Sequence, residues 1–340
     1  MPTLPLAPTL ARMLAPKLEA QTPAKSVRAL FLRVLESVLV VFVVASITFF
    51  ALRLLPGDPA LLILGDQASP EALAHVRAQL HLNEPLHVQY ARFCFRLLTF
   101  DFGESLRWPG SEARTRVLLA LRPTSELAVT STLLGAIFGT GAAVLASGPW
   151  LGRYFRLVEW VLTALAAVPL LALAPLLTWL LAVRFHACAL PSDVESGPSA
   201  LLFGAALLAV PLGAHVGRVA RGSLAEVSRA LYLTTARAKG GRALRVWFVH
   251  ALATVMGPVV TTVAAQLGAL LGGAVVVERL FARPGLGSLM LEAYASRDLP
   301  VLEGAIVASG ALFVMAQAAA TGVHLLIDPR ARPERTKSRA

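Results

Sequence analysis

Six stretches of this chain contain no Asp, Glu, Lys or Arg: residues 37–52, 127–152, 160–183, 198–217, 246–277 and 304–327. A helix needs roughly 20 apolar residues to cross a bilayer core. Five of the stretches meet that length directly. The first does so once Val34 and Leu35 extend it past Glu36, which can sit at the interface beside Arg33. A cleaved leader is the competing reading there, but the run ends in "FFALRLLPGD" without a small-x-small cleavage pattern. Only 15% of the 340 residues are charged and 56% are hydrophobic, against about a quarter charged in soluble domains. The expected fold is an all-α membrane protein with six transmembrane helices.

Where the charges fall sets the expected orientation. Lys17, Lys25, Arg28 and Arg33 precede the first span, and Arg153 and Arg156 lie between the second and third. Arg218, Arg221, Arg229, Arg237, Lys239, Arg242 and Arg245 lie between the fourth and fifth, against one acid, Glu226. Arg330, Arg332, Arg335, Lys337 and Arg339 close the chain. All fall on one side of a six-span arrangement with both termini cytoplasmic, as the positive-inside rule requires. The net charge of +11 is thereby assigned to orientation and lipid headgroups, not to nucleic acid. Cys94 and Cys188 then fall outside, where a disulfide is permitted; they are read as two separate thiols.

Residues 1–27, with five prolines, read as a loose cytoplasmic tail. The stretch 53–123 reads as an extramembrane segment following the first span. Its "LLPGDPALLILGD" forces turns, and "SPEALAHVRAQLHL" begins a helix with Ser69 capping, Pro70 first and Glu71 in the first turn. No G-x-x-x-x-G-K-[ST] occurs, so no ATP site of that kind is expected. Glu36, Glu126, Glu159 and Glu303 all fall near span ends, which speaks against a proton-driven carrier with a mid-membrane carboxylate. None of the seven histidines forms a metal-ligating pair, and no metal or cofactor is expected in this chain. A stand-alone carrier or channel is the alternative, with a membrane enzyme third.

Between the fourth and fifth spans runs "RGSLAEVSRALYLTTARAKGGRALRVWFVHALA". It is helix-prone, with Leu224, Val227 and Leu231 on one face, and Gly240-Gly241 permits a reversal. The stretch reads either as a short surface helix able to carry force from a partner into the two spans or as an ordinary basic inside loop that contacts lipid headgroups. The stretch "YLTTARAKG" with the following "HAL" resembles the cytoplasmic loop of the dipeptide/oligopeptide-type permeases of binding-protein-dependent ABC importers. Gly240 matches the fixed glycine of that family's EAA motif, with Thr234, Thr235 and Ala236 in place of Glu-Ala-Ala. The likeness continues through "LLPGDPA", "LHLNEPLHVQYARFCFRLLTFDFGESL", "RPTSELAV", "GGAVVVERLFARPGLGSLMLEAYASRDLPVLEG" and "LLIDPRARP", covering about 28 to 332. Asn83 and Phe100 stand where the family pattern has Asp and Gly.

The resemblance implies a type I ABC importer permease fold, with a core domain over 124–328 after a first helix and periplasmic segment over 28–123, and a cytoplasmic tail over 329–340. It implies an ATPase-coupling loop at about 218–250 that includes Tyr232, Thr235, Ala236, Arg237, Ala238, Lys239, Gly240 and His250. It also implies a bacterial inner-membrane location and four kinds of partner: a sister permease, two ATPase subunits, a solute-binding protein and lipid. ATP and magnesium would belong to the ATPases. Peptides are the expected substrate class, with nickel, glutathione and oligosaccharides as alternatives.

The last outside loop holds a second candidate site: Glu278, Phe281, Pro284, Gly285, Gly287, Arg297 and Asp298. The sequence "PGLG" reads as a tight turn with glycine at positive φ. A short apolar helix with Leu289, Leu291, Ala293 and Tyr294 follows. The loop reads either as a periplasmic gate or as a capped loop held by Glu–Arg pairs. Gly135-x-x-x-Gly139 and Gly268-x-x-x-Gly272 are read as close helix contacts, internal or against a partner. Thr261, Thr262, Gln266 and Gln317 are the spans' few polar side chains, facing either a cavity or a packed interface.

Overall fold

The computed structural model describes residues 23–54, 60–61, 69–79, 81–147, 152–186, 197–231, 235, 238 and 252–327. Compactness divides the chain between Val43 and Val44, and the packing below concerns Val44–Ala340. The helices are α1 (Pro23–Leu54), α2 (Pro70–Gln79), α3 (Leu86–Thr99), α4 (Ala113–Ala146), α5 (Gly152–Ala166), α6 (Leu170–Thr178), α7 (Gly197–Ser228), α8 (Leu252–Leu280), α9 (Leu286–Ala295) and α10 (Leu299–Ile327). Among the described residues, β structure is confined to one antiparallel bridge between Glu104 and Glu112. Pro23 opens α1, so that helix takes in the end of the stretch read as a loose tail.

Among the described residues, five helices are long and apolar enough to cross a membrane: α1, α4, α7, α8 and α10. The sixth span is bent. The run 160–183 was expected to cross as one helix, but α5 and α6 meet at 115°. Proline explains the corner. Pro169 lacks an N–H and disfavours helical geometry at Val168; it sits in an extended conformation with φ −53 and ψ 136. The amides of Ala172 and Leu173 then restart the ladder on the Pro169 carbonyl. A π-helical stretch, Trp179–Arg184, completes the span.

Glycine draws α4 and α7 together in the most extensive helix contact among the described residues. A side chain on Gly139 would overlap the Gly213 carbonyl, and one on Gly135 would lie 2.8 Å from Leu212. The first small-residue motif is therefore an internal contact. In the second, Gly268 lies beside Phe313 and Gly272 has open space, while neighbouring Gly273 meets Leu208 and Leu170. Buried Leu, Val and Ala side chains of α4, α7 and α8 fill the core. Ile47, Leu119, Ile137 and Phe138 point outward, each more than 60% exposed, which suits lipid and would be costly in water.

Beside the bundle, Ser69 Oγ accepts the Ala72 amide at 3.2 Å and caps α2 as expected. The end of α1 is fixed by a contact the sequence did not reveal. Arg53 pairs with Glu303 of α10 at 2.8 Å, donates to Gln89 of α3 at 3.1 Å, and lies over the Phe49 ring. Phe49, Phe50, Tyr90 and Phe93 pack as an aromatic cluster around it.

Candidate functional site

The loop after α8 is built around one carboxylate. Glu278 is fully buried near the end of α8. Its Oε1 accepts the Thr124 hydroxyl of α4 at 2.5 Å, and its Oε2 accepts the Gly287 and Ser288 amides at 2.8 and 3.1 Å. Thr124 Oγ1 in turn accepts the Leu286 amide at 2.8 Å. A helix begins with four amides that lack helical partners. In α9 three of these are taken by side chains of two other helices, and the Leu289 amide bonds to the Gly285 carbonyl. The positive end of the helix dipole faces the carboxylate.

Two expectations about this loop change. Glycine is not there for positive φ: Gly285 has φ −97 and ψ 179, and the left-handed residue of the turn is Ala282, φ 51. The glycines instead allow close approach. A side chain on Gly285 would overlap the Glu278 carboxyl, and one on Gly287 would come within 2.6 Å of Val275 Cα. Nor is a Glu–Arg ion pair found in this loop among the described residues: Glu278 bonds to a hydroxyl and two amides. Phe281 is buried edge-on against Phe203, and Pro284 precedes the glycine turn.

A second buried carboxylate closes the other end of α9. Arg297, at φ 58, terminates the helix, and Asp298 is fully buried. Its side chain accepts the Ser105 hydroxyl and the Leu106 and Arg107 amides, the latter two at 3.2 and 3.3 Å. Its backbone carbonyl accepts the Leu302 amide that starts α10. Leu289 and Ala293 face inward, whereas Leu291 and Tyr294 are exposed. The seven sequence-predicted residues of this loop thus gather around α9. Thr124 and Ser105, which bind the two acids, went unnoticed in the sequence; a Pro-Thr pair opening an apolar run was the signal for the first.

The opposite end of α8 is described only in part. Tyr232, Ala236, Arg237, Lys239, Gly240 and His250 lie outside the described residues. Thr235 and Ala238 are helical and exposed, with Thr235 Oγ1 donating to the Leu231 carbonyl at 3.0 Å. The segment from Gly222 to Ser228 was expected to begin a separate surface helix. It continues α7 instead, and the chain turns at Arg229 and Ala230, whose amides bond to Glu226 and Val227. Leu224 is buried and Val227 packs on the core, but Leu231 is 84% exposed. Nearby, Arg221 pairs with Glu159 of α5 at 2.6 Å, beside a cavity of about 230 Å³ floored by Gly139, Gly213 and Gly217.

The described polar side chains of the spans mostly turn inward on their own helices. Thr261 and Thr262 donate to the Gly257 and Pro258 carbonyls, and His215 bonds to the Pro211 carbonyl. Cys94 is a free thiol, and Cys188 lies outside the described residues.

Comparison with known proteins decides the family. "Binding-protein-dependent transport system inner membrane component" matches residues 132–333, and the N-terminal component of the same systems matches 26–105. The chain belongs to this permease family. It is 33% identical over 316 residues to a putative peptide transport system permease of Brucella abortus (strain 2308), covering 88% of this chain and 97% of that one. A glutathione transport system permease of Salmonella paratyphi A is 33% identical over 303 residues, with the same coverage. In structure, the permease resembles a chain of the inward-facing MetNI methionine ABC transporter, with TM-score 0.51 and 16% identity over 62% of this chain and 96% of that one. The likeness is one of fold. The chain is therefore a multi-pass inner-membrane permease of an ABC importer, a transport component that works with an ATPase and a binding protein.

Proposed function

We propose that this permease forms half of the translocation path for peptides or a related small solute. A sister permease supplies the other half, two ATPase subunits supply the work, and a binding protein delivers the solute. The observation that carries the substrate class is the match, at 33% identity and nearly full length, to permeases named for peptide and glutathione transport. Both termini and the 218–250 loop face the cytoplasm, where Tyr232, Thr235, Ala236, Arg237, Ala238, Lys239, Gly240 and His250 meet the ATPase. ATP and magnesium bind the ATPases, not this chain. The core unit spans 124–328, and the loop around Glu278 and Asp298 closes the outer end of the path. Differential binding of ATP to two states shifts the permease between them, and hydrolysis of that ATP resets it so that the cycle can repeat.

Reconstitution in proteoliposomes tests this reading. The four-subunit complex with its binding protein is expected to accumulate labelled di- and tripeptides or glutathione only with ATP. Gradient-driven flux through this chain alone would contradict it.

A further inference from the structure

We propose that Thr124 is a positioning residue for transport, the latch by which α4 holds α9 across the outer end of the path. Two observations carry this, and the proposal rests on the gate reading above. First, one buried hydroxyl makes both bonds: it donates to Glu278 at 2.5 Å and accepts from the Leu286 amide at 2.8 Å. Among the described residues its other acceptor within reach is the Ala120 carbonyl at 3.3 Å, so the single proton goes to the nearer carboxylate. Second, Thr124 directly follows Pro123, the proline within α4. A proline inside a helix removes one ladder bond and is where helices bend. The latch therefore sits at the point where α4 can change direction, and a bend there pulls on α9 through Thr124 and on α8 through Glu278.

The chemistry limits what can substitute. Serine keeps the donor and acceptor. Valine keeps the shape, but leaves Glu278 short of a donor and the Leu286 amide without an acceptor. Buried groups left unpaired in this way are costly.

The test compares Thr124→Val and Thr124→Ser with the parent by two readouts. In the full chain in lipid nanodiscs, Thr124→Val is expected to raise amide exchange across residues 286–288 at least tenfold, and Thr124→Ser less than threefold. In the reconstituted complex, normalised to assembled transporter, Thr124→Val is expected to lower solute moved per ATP hydrolysed about tenfold, with Thr124→Ser restoring most of it. Equal exchange in all three chains overturns the latch. Faster exchange with an unchanged solute-to-ATP ratio overturns its part in transport and leaves a purely structural bond. A parent complex that hydrolyses ATP yet moves no solute overturns the importer reading and the transport part of the proposal with it, while the exchange arm still decides the latch.

Discussion

The two ends of the core formed by α4, α7 and α8 carry different polar contacts. At the Glu278 end, two buried carboxylates accept hydroxyls and amides from α4, α9 and the Ser105–Arg107 loop, and glycines let the backbones close around them. At the end where α7 finishes, Glu159 of α5 and a half-exposed Arg221 of α7 form an ion pair beside an open cavity. Buried, mutually satisfied polar groups specify one arrangement and penalise any departure from it. A surface ion pair is worth under about 1 kcal/mol and breaks at little cost. One end is thus built to hold a single geometry or to switch between discrete ones, whereas the ion pair at the other breaks at little cost.

The comparison can be broken most forcefully at Gly287. Gly287→Val would drive a side chain into Val275 Cα and the Glu278 carboxylate, and should cost about 3 kcal/mol or more. Loss of assembled protein from the membrane would register it. Next, Asp298→Ala leaves the Ser105 hydroxyl and the Leu106, Arg107 and Val301 amides without their acceptor, at about 2–3 kcal/mol; a lower thermal midpoint in detergent would show this. Phe100→Gly should act in the opposite direction. Phe100 caps α3 at φ 53 and ψ 32 and is 60% exposed, so glycine relieves left-handed strain of about 1 kcal/mol while losing little packing. The midpoint should rise. The smallest effect belongs to Arg221→Ala, under about 1 kcal/mol and diminished further by salt. An Arg221 effect as large as that of Asp298 would erase the distinction between the two ends.

Some of this was legible in the sequence for physical reasons. Lipid admits no charge without a strong reason, so the apolar runs announced the spans. Ser69-Pro70-Glu71 announced α2 because capping is local. The corner at Pro169 was not legible, since a proline within an apolar run kinks one helix or ends it depending on what it packs against. The glycines of the α9 turn were recognised as special but given the wrong reason. Glycine at a turn suggests backbone freedom, and only the fold shows that room for a carboxylate was required. Thr124 and Glu278 are 154 residues apart, and Arg53 and Glu303 are 250 apart; no local pattern ties such pairs. Phe100, noted only as a departure from glycine, gains its meaning from the left-handed cap.

Amide hydrogen exchange on the unmodified chain in nanodiscs tests the difference between the ends most directly. Residues 286–288, each amide bonded to a buried side chain, should rank among the slowest outside the span interiors, at least a hundredfold slower than the turn at 229–231. Comparable exchange at the two ends would contradict the account.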